Sequence, residues 1–316
     1  MNIQTGRPIV GVCIVTYNSA HHIRECLLAV RRQTWPHVKI VVIDNSSSDH
    51  TVKIVSEICP DAKVTVNSVN IGFAAAQNQA IRIADSDFVL VLNPDVILHE
   101  DYITELLRQL SANPEIGSAT GCLSYLTDPF IIDSTGLEMN SVRRVNERGS
   151  GQVNEEYNNG SYIFGVSGAA AMYSRKTIED ISIDNQFFDE DFFAYKEDVD
   201  VAWRAQILGW KSWYEPKAKA LHGRRWGTRT SRKQIPIKIR KHSYQNRYLM
   251  IVKNEHFGWN WWFNFPKLLA LEVMYHGYLL LKDPKVMLGS WPELFRLLPS
   301  AIRKRRMIKA FRKKTK

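Results

Sequence analysis

The chain has 316 residues, 45% of them hydrophobic and 23% charged, enough to bury one large core or two modest ones. Its formal net charge of +10 gathers in two stretches, 224–247 and 303–316, which points to an anionic partner. The four cysteines, Cys13, Cys26, Cys59 and Cys122, lie far apart with no CxxC pair and read as reduced core thiols. The polar start at 1–7 runs straight into a strand, which predicts no signal peptide and a cytosolic chain.

Strand and helix periods alternate from the N-terminus. An apolar run at 9–15 predicts the first strand, and Ile23, Leu27 and Val30 share one face of a helix over 20–32. Next come a strand at 39–43, a helix at 51–58, a strand at 63–66 and a helix at 73–84. A strand at 88–92 and a helix at 102–110, ended by Pro114, complete the pattern. Such alternation builds a parallel, doubly wound α/β sheet. Past Gly117 the pattern loosens into shorter strands and loops, through Asp133-Ser134-Thr135-Gly136 and an Asn- and Gly-rich stretch at 149–160, and no internal repeat is visible.

In an open α/β sheet the ligand sits beyond the carboxyl ends of the strands, which here carry Thr16-Tyr17-Asn18, Asp44-Asn45-Ser46 and Asn93-Pro94-Asp95. The first of these turns lacks GxGxxG and no GxxxxGK[ST] occurs anywhere, which argues against NAD enzymes and P-loop NTPases. A strand-end carboxylate can bind a divalent cation through oxygen, and the cation can neutralise a diphosphate, so Asp95 is a natural metal ligand. Acids crowd again in the run from Phe192 to Arg204, at what reads as a helix start. Negative charge is favoured in a first helical turn, and Asp200 can pair with Arg204 one turn on. Glu197 and Asp198 are then left to face a cleft, one of them as a base.

Several motifs share an order and spacing: Ile14-Val15-Thr16-Tyr17-Asn18, Asp44-Asn45-Ser46-Ser47-Ser48-Asp49, Asn70-Ile71-Gly72-Phe73-Ala74, Leu92-Asn93-Pro94-Asp95, Gly168-Ala169-Ala170, Phe188-Asp189-Glu190, and Glu197-Asp198-Val199-Asp200 with Arg204. Together they resemble the GT-A glycosyltransferases of family 2, in particular the rhamnosyltransferase-like bacterial members that build surface polysaccharide. The resemblance implies a GT-A fold, a mixed and mainly parallel sheet with helices on both faces. It places a catalytic domain at 1–254, with a nucleotide-binding half at 8–116 and an acceptor half at 117–254, ahead of an amphipathic helical region at 255–316.

The same resemblance implies a nucleotide-diphosphate-sugar donor, with dTDP-rhamnose favoured and UDP-sugars next. Thr16, Tyr17 and Asn18 would run along the nucleotide, Asp44 would grip the base, and Asn70 and Asn93 would sit beside the donor. Asp95 and His222 would hold Mn²⁺ or Mg²⁺, and Asp198 would be the base of an inverting displacement, with Glu197 in reserve. Asn93 stands where the family's DxD pattern has its first acid. Local roles compete: Asp44 suits a helix cap, and Asn70 with Gly72 suits a tight turn.

The basic segment 224–233 suits closure over a diphosphate. Residues 259–281 are rich in Trp, Phe, Tyr and Leu, but Asn260, Asn264, Lys267, Glu272 and His276 make them too polar to span a membrane. With Arg303-Lys304-Arg305-Arg306 they resemble an interfacial anchor on an anionic leaflet. That places the chain on the inner face of the cytoplasmic membrane, beside a lipid-linked or glycan acceptor. A helix packed on the catalytic core or on a second subunit fits the same pattern. No nucleic-acid module is recognisable, and the strand-end acids would repel phosphate without metal. A sugar nucleotidyltransferase and an inactive membrane scaffold are the other readings of this fold.

Overall fold

A computed structural model describes residues 7–224, 234–256 and 258–314. The N-terminal half follows the predicted alternation: β1 (Val10–Thr16), α1 (Ile23–Arg31), β2 (Val38–Asp44), α2 (Thr51–Ile58), β3 (Lys63–Val66), α3 (Phe73–Ile83) and β4 (Phe88–Leu92). β1 pairs in parallel with β2 and with β4, and β2 with β3. All seven residues of β1 are buried, as a central parallel strand covered on both faces requires. The first helix starts later than its apolar face suggests, because the Ser19 carbonyl accepts from the His22 and Ile23 amides and closes a turn there.

Beyond Asn93-Pro94-Asp95 the chain forms β5 (Val96–Leu98), α4 (Tyr102–Ala112), β6 (Ile116–Tyr125) and β7 (Asp128–Ser134). A small ribbon follows, β8 (Leu137–Met139) with β9 (Val145–Glu147), then β10 (Ser161–Ile163), β11 (Ala170–Ser174), α5 (Arg175–Ile181), α6 (Glu197–Ile207) and β12 (Lys211–His222). The main sheet runs β10-β12-β6-β11-β4-β1-β2-β3, with β5 on β12 and β7 on β6. β11 enters antiparallel between β4 and β6, so the sheet is mixed.

Successive residues of each strand feed opposite faces. Val12 and Ile14 pack with Ile23 and Leu27 of α1, Val55 of α2 and Leu106 of α4, whereas Cys13 and Val41 pack with Ala76 and Ala80 of α3, Ile178 of α5 and Val201 of α6. The four cysteines are free and buried.

Three long helices close the chain: α7 (Ile237–Asn254), α8 (Trp259–Lys282) and α9 (Pro284–Lys314). Leu249 and Met250 of α7 and Leu297 and Ala301 of α9 share a core with Val199 and Trp203 of α6. The basic run expected to face a membrane is partly engaged within the fold, with Lys304 buried and Arg303 and Arg306 exposed. Arg303 pairs with Asp184 at 2.5 Å, Lys304 reaches Asp189 and, at 2.7 Å, Asp191, and Arg305 donates to the Val252 carbonyl at 2.7 Å. Apolar side chains instead lie open on α8, with Phe263 79% and Leu281 83% exposed. Among the described residues, no helix is long and apolar enough to cross a membrane.

Candidate active site

The parallel register sets Thr16 beside Asp44 at the ends of β1 and β2. The Thr16 hydroxyl donates to Asp44 Oδ1 at 2.7 Å, and Ser47 donates to the same carboxylate from its amide at 2.8 Å and its hydroxyl at 2.6 Å. Thr16 and Asp44 are both 0% exposed. They therefore tie two strand ends together beneath the cleft; Asp44 anchors the turn at Ser47 and does not cap the following helix, which starts only at Thr51 with His50 at its N-cap.

Above them lies a pocket of about 310 Å³ lined by Tyr17, Asn18, Asn70, Asn93 and Asp95. Asn18 adopts a left-handed conformation (φ 49°) and accepts from the Ser48 amide at 2.9 Å. Asn70 accepts from the Gly72 amide at 2.9 Å, closing the anticipated tight turn. Gly72 has φ +91°, and a Cβ there would stand 2.6 Å from the Phe193 ring, so glycine is required twice over.

The second group is assembled by β12. Its antiparallel register on β5 sets His222 opposite Val96, and the Gly223 amide donates to the Asp95 carbonyl at 2.7 Å. His222 Nε2 comes to 3.4 Å from Asp95 Oδ1, while Nδ1 is 2.7 Å from Asp133 Oδ2 on β7. Arg224 bridges Asp133 at 2.8 Å and Glu147 at 3.1 Å. Burial works against a charged imidazole, yet the Asp133 and Asp95 carboxylates carry the His222 pKa up to about 9. Burial opposes the Asp95 carboxylate too, and the His222 ring holds its pKa below the usual range.

Among the described residues there is no cluster of three or more His, Cys, Asp or Glu able to hold a metal. Asp95 and His222 Nε2 nonetheless offer one oxygen and one nitrogen at a spacing that two ligands of a single divalent ion can take. The buried Asp133 behind the ring orients it, as a carboxylate behind a ligating histidine does. These two side chains thus fit a divalent cation.

The third group is acidic. A cleft of about 510 Å³ is lined by Asn93, Asp95, Gly168, Glu197, Asp198 and His222, with Arg224 and Glu147 in its wall. Asp198 Oδ2 accepts from the Gly168 amide at 3.1 Å, and Oδ1 from the Val199 amide at 2.7 Å, which aims the carboxylate while leaving it further lone pairs to accept with. Glu197 is 7% exposed and its Oε2 is buried without a hydrogen-bond partner. Burial and the neighbouring Asp198 charge push its pKa up to about 8. Asp200 pairs with Arg204 as anticipated, at 2.9 Å, and also receives Lys253 and Asn254 at 2.7 Å each.

The approach to this helix is strained. Phe193, Tyr195 and Lys196 all have positive φ, at 54°, 71° and 68°, which costs about 1–2 kcal/mol each for non-glycine residues. The fully buried Asn246 on α7 holds the segment: its Nδ2 donates to the carbonyls of Phe192, Ala194 and Tyr195 at 2.8, 3.0 and 2.8 Å. His242, one turn earlier, stacks on Phe193 with centroids 5.1 Å apart. Asn246, Asp133 and Glu147 were missed by sequence reasoning. Of the basic segment, Arg224 is placed in the cleft wall, and 225–233 lie outside the described residues.

Residues 11–182 match the sequence profile described as Glycosyl transferase family 2. An N-acetylglucosaminyl-diphospho-decaprenol L-rhamnosyltransferase of Mycobacterium tuberculosis is 25% identical over 281 residues, covering 79% of this chain and 86% of that protein. A poly-beta-1,6-N-acetyl-D-glucosamine synthase of Staphylococcus epidermidis is 23% identical over 212 residues, 66% of this chain and 48% of that protein. The chain thus spans about half the length of that synthase. Among solved structures, the mannosyltransferase PcManGT of Pyrobaculum calidifontis, in complex with GDP-Man and Mn²⁺, matches with TM-score 0.56 at 18% identity, over 97% of this chain and 75% of that chain. S. aureus TarS 1–349 in complex with UDP-GlcNAc matches with TM-score 0.54 at 18% identity, over 78% and 68%. These likenesses carry the GT-A fold. The profile covers more than half of the chain, and the chain belongs to glycosyltransferase family 2.

Proposed function

We propose that this protein moves a sugar, favoured as rhamnose from dTDP-rhamnose, to a hydroxyl of a lipid-linked or polysaccharide acceptor in surface-glycan synthesis, at the inner face of the cytoplasmic membrane. The observation that carries this reading is the continuity of the donor pocket with the acidic cleft. Phe73, Asn93, Asp95 and Ala194 line both, so a diphosphate lying beside Asp95 is within one cavity system of Asp198. The rhamnosyltransferase relative, matched over most of both chains, supports rhamnose. The exposed apolar side chains of α8 support a peripheral membrane position.

The residues suit a direct displacement. Asp198 takes the acceptor hydroxyl proton as that oxygen attacks the anomeric carbon. The bond from that carbon to the diphosphate oxygen breaks, its electron pair leaves with the nucleoside diphosphate, and a single displacement inverts the centre. Glu197, with a pKa near 8, keeps its proton at neutral pH and spares the corner a second negative charge, which favours Asp198 as the base. Asp95 and His222 would hold a divalent cation, which would supply charge stabilisation to the departing diphosphate.

A thermal-shift panel of dTDP, UDP, GDP and their sugar conjugates, with and without Mn²⁺, tests the reading. A metal-dependent rise with dTDP and dTDP-rhamnose is expected. A response confined to UDP or GDP compounds would replace the donor, and no response to any nucleotide would contradict the transferase reading.

A further inference from the structure

Beside the acidic cleft lies a second pocket of about 200 Å³ whose wall holds four cations, Arg143, Arg144, Lys196 and Arg247, and no acid. It is continuous with the cleft, because Val145, Asn146, Lys196 and Ser243 line both. Two of its cations are partly neutralised from behind: Arg143 is paired with Glu255, at 2.9 Å through Nη2, and Arg247 with Glu272. Arg144 lies over the Tyr275 ring at 5.7 Å, and among the described residues neither it nor Lys196 has a carboxylate at ion-pair distance. Arg247 Nη1 is buried with no hydrogen-bond partner. Buried donors on cations are normally satisfied, and an acid-free pocket with such a donor calls for an anion. Burial depresses the Lys196 pKa, the Asp198 carboxylate opposes it and the Arg247 charge adds to it.

The surroundings narrow the kind of anion. Lys196 stands two residues before Asp198, so an anion held here lies next to the base rather than beside Asp95 and His222, which line the cleft but not this pocket. Tyr275 belongs to α8, whose neighbouring Val273 and Met274 are 65% and 69% exposed. A phosphate site bordered by an open apolar helix suits an amphiphile.

Resting on the transferase reading above, we propose that this pocket binds the phosphate or diphosphate joining the acceptor sugar to its lipid, which delivers the sugar hydroxyl through the shared wall to Asp198. The pocket is thereby the acceptor's anchor and takes no part in holding the donor. Arg144 is exposed and Lys196 half-buried, so both can be changed without removing a core side chain.

The test is calorimetric binding of geranyl diphosphate to the full chain in EDTA, which removes any metal-dependent contribution from the donor site. Arg144→Gln and Lys196→Gln are each expected to weaken it about tenfold. Binding of the nucleotide with Mn²⁺, and co-sedimentation with vesicles of phosphatidylcholine and phosphatidylglycerol in equal parts, are expected to match wild type. Unchanged geranyl diphosphate affinity in both variants, or none in wild type, overturns the proposal. Loss of vesicle binding alone would assign the pocket to a phospholipid headgroup, and parallel loss of nucleotide binding would assign it to the donor; either also overturns it. A wild-type protein that binds no nucleotide fails the transferase reading separately, whatever the prenyl diphosphate does.

Discussion

The two sides of the cleft are built by different means. On the donor side, Tyr17, Asn18, Asn93 and Asp95 each follow the end of a parallel strand, so chain order alone brings them to one rim. On the acceptor side, Asp133 comes from β7, Glu147 from β9, Asp198 from the start of α6, His222 from the end of β12 and Asn246 from α7. That side is held by buried charges and by a strained approach, not by strand order. A rim of strand ends tolerates exchange of its side chains, whereas a buried charge network does not, because removing one member leaves another unpaired. The sides meet at Asp95 and His222.

Removing the base separates the two sides most sharply. Asp198→Asn is expected to lower transfer by about 10²–10⁴-fold while donor affinity stays at the wild-type value. Turnover near the wild-type rate would move the base elsewhere. The support behind the histidine comes next: Asp133→Asn should raise the Mn²⁺ concentration needed for nucleotide binding by about 10–100-fold. An unaltered Mn²⁺ titration would separate Asp133 from the cation corner.

Asn246→Ala removes three hydrogen bonds from the segment before α6 and should destabilise the fold by about 1–3 kcal/mol. Because that segment aims Asp198, kcat should fall with little change in donor KM; an intact kcat with a lowered melting temperature would make Asn246 purely structural. The smallest effect concerns Glu197, whose folded pKa of about 8 exceeds its ordinary 4.5. The folded chain keeps this proton where the unfolded chain has lost it, so the contribution to stability is complete below 4.5 and disappears as pH rises through 8. Glu197→Gln should flatten that part of a stability–pH profile measured by chemical denaturation, and parallel profiles would contradict the buried, protonated state.

The donor side was legible because its signals are local. A strand period followed by a polar turn places a residue at the rim, and Asp200 with Arg204 sits within one helical turn. The tight turn at Asn70 was equally visible, since it closes within two residues, whereas Asp44 was read as a helix cap and instead joins Thr16 of the neighbouring strand. On the acceptor side Asp198, Glu197 and His222 were legible from their motifs, but the residues that support them were not. Asp133 and His222 are 89 residues apart and meet only through the pairing of β6 with β7 and with β12. Asn246 carries no motif of its own; a buried amide is recognised only by the carbonyls it meets. The partners within the basic run on α9 were hidden for a related reason, because sequence counts charges without their partners, and Lys304 finds its own in Asp189 and Asp191.

A donor-side acid, Asp95, and an acceptor-side histidine, His222, are proposed to form one cation corner. It is tested most directly by calorimetric titration of the responding nucleotide into wild type, Asp95→Ala and His222→Ala, each with and without Mn²⁺. Mn²⁺ is expected to strengthen binding only in wild type, with metal-free affinity similar in all three. Strengthening by Mn²⁺ that persists in both variants would contradict it.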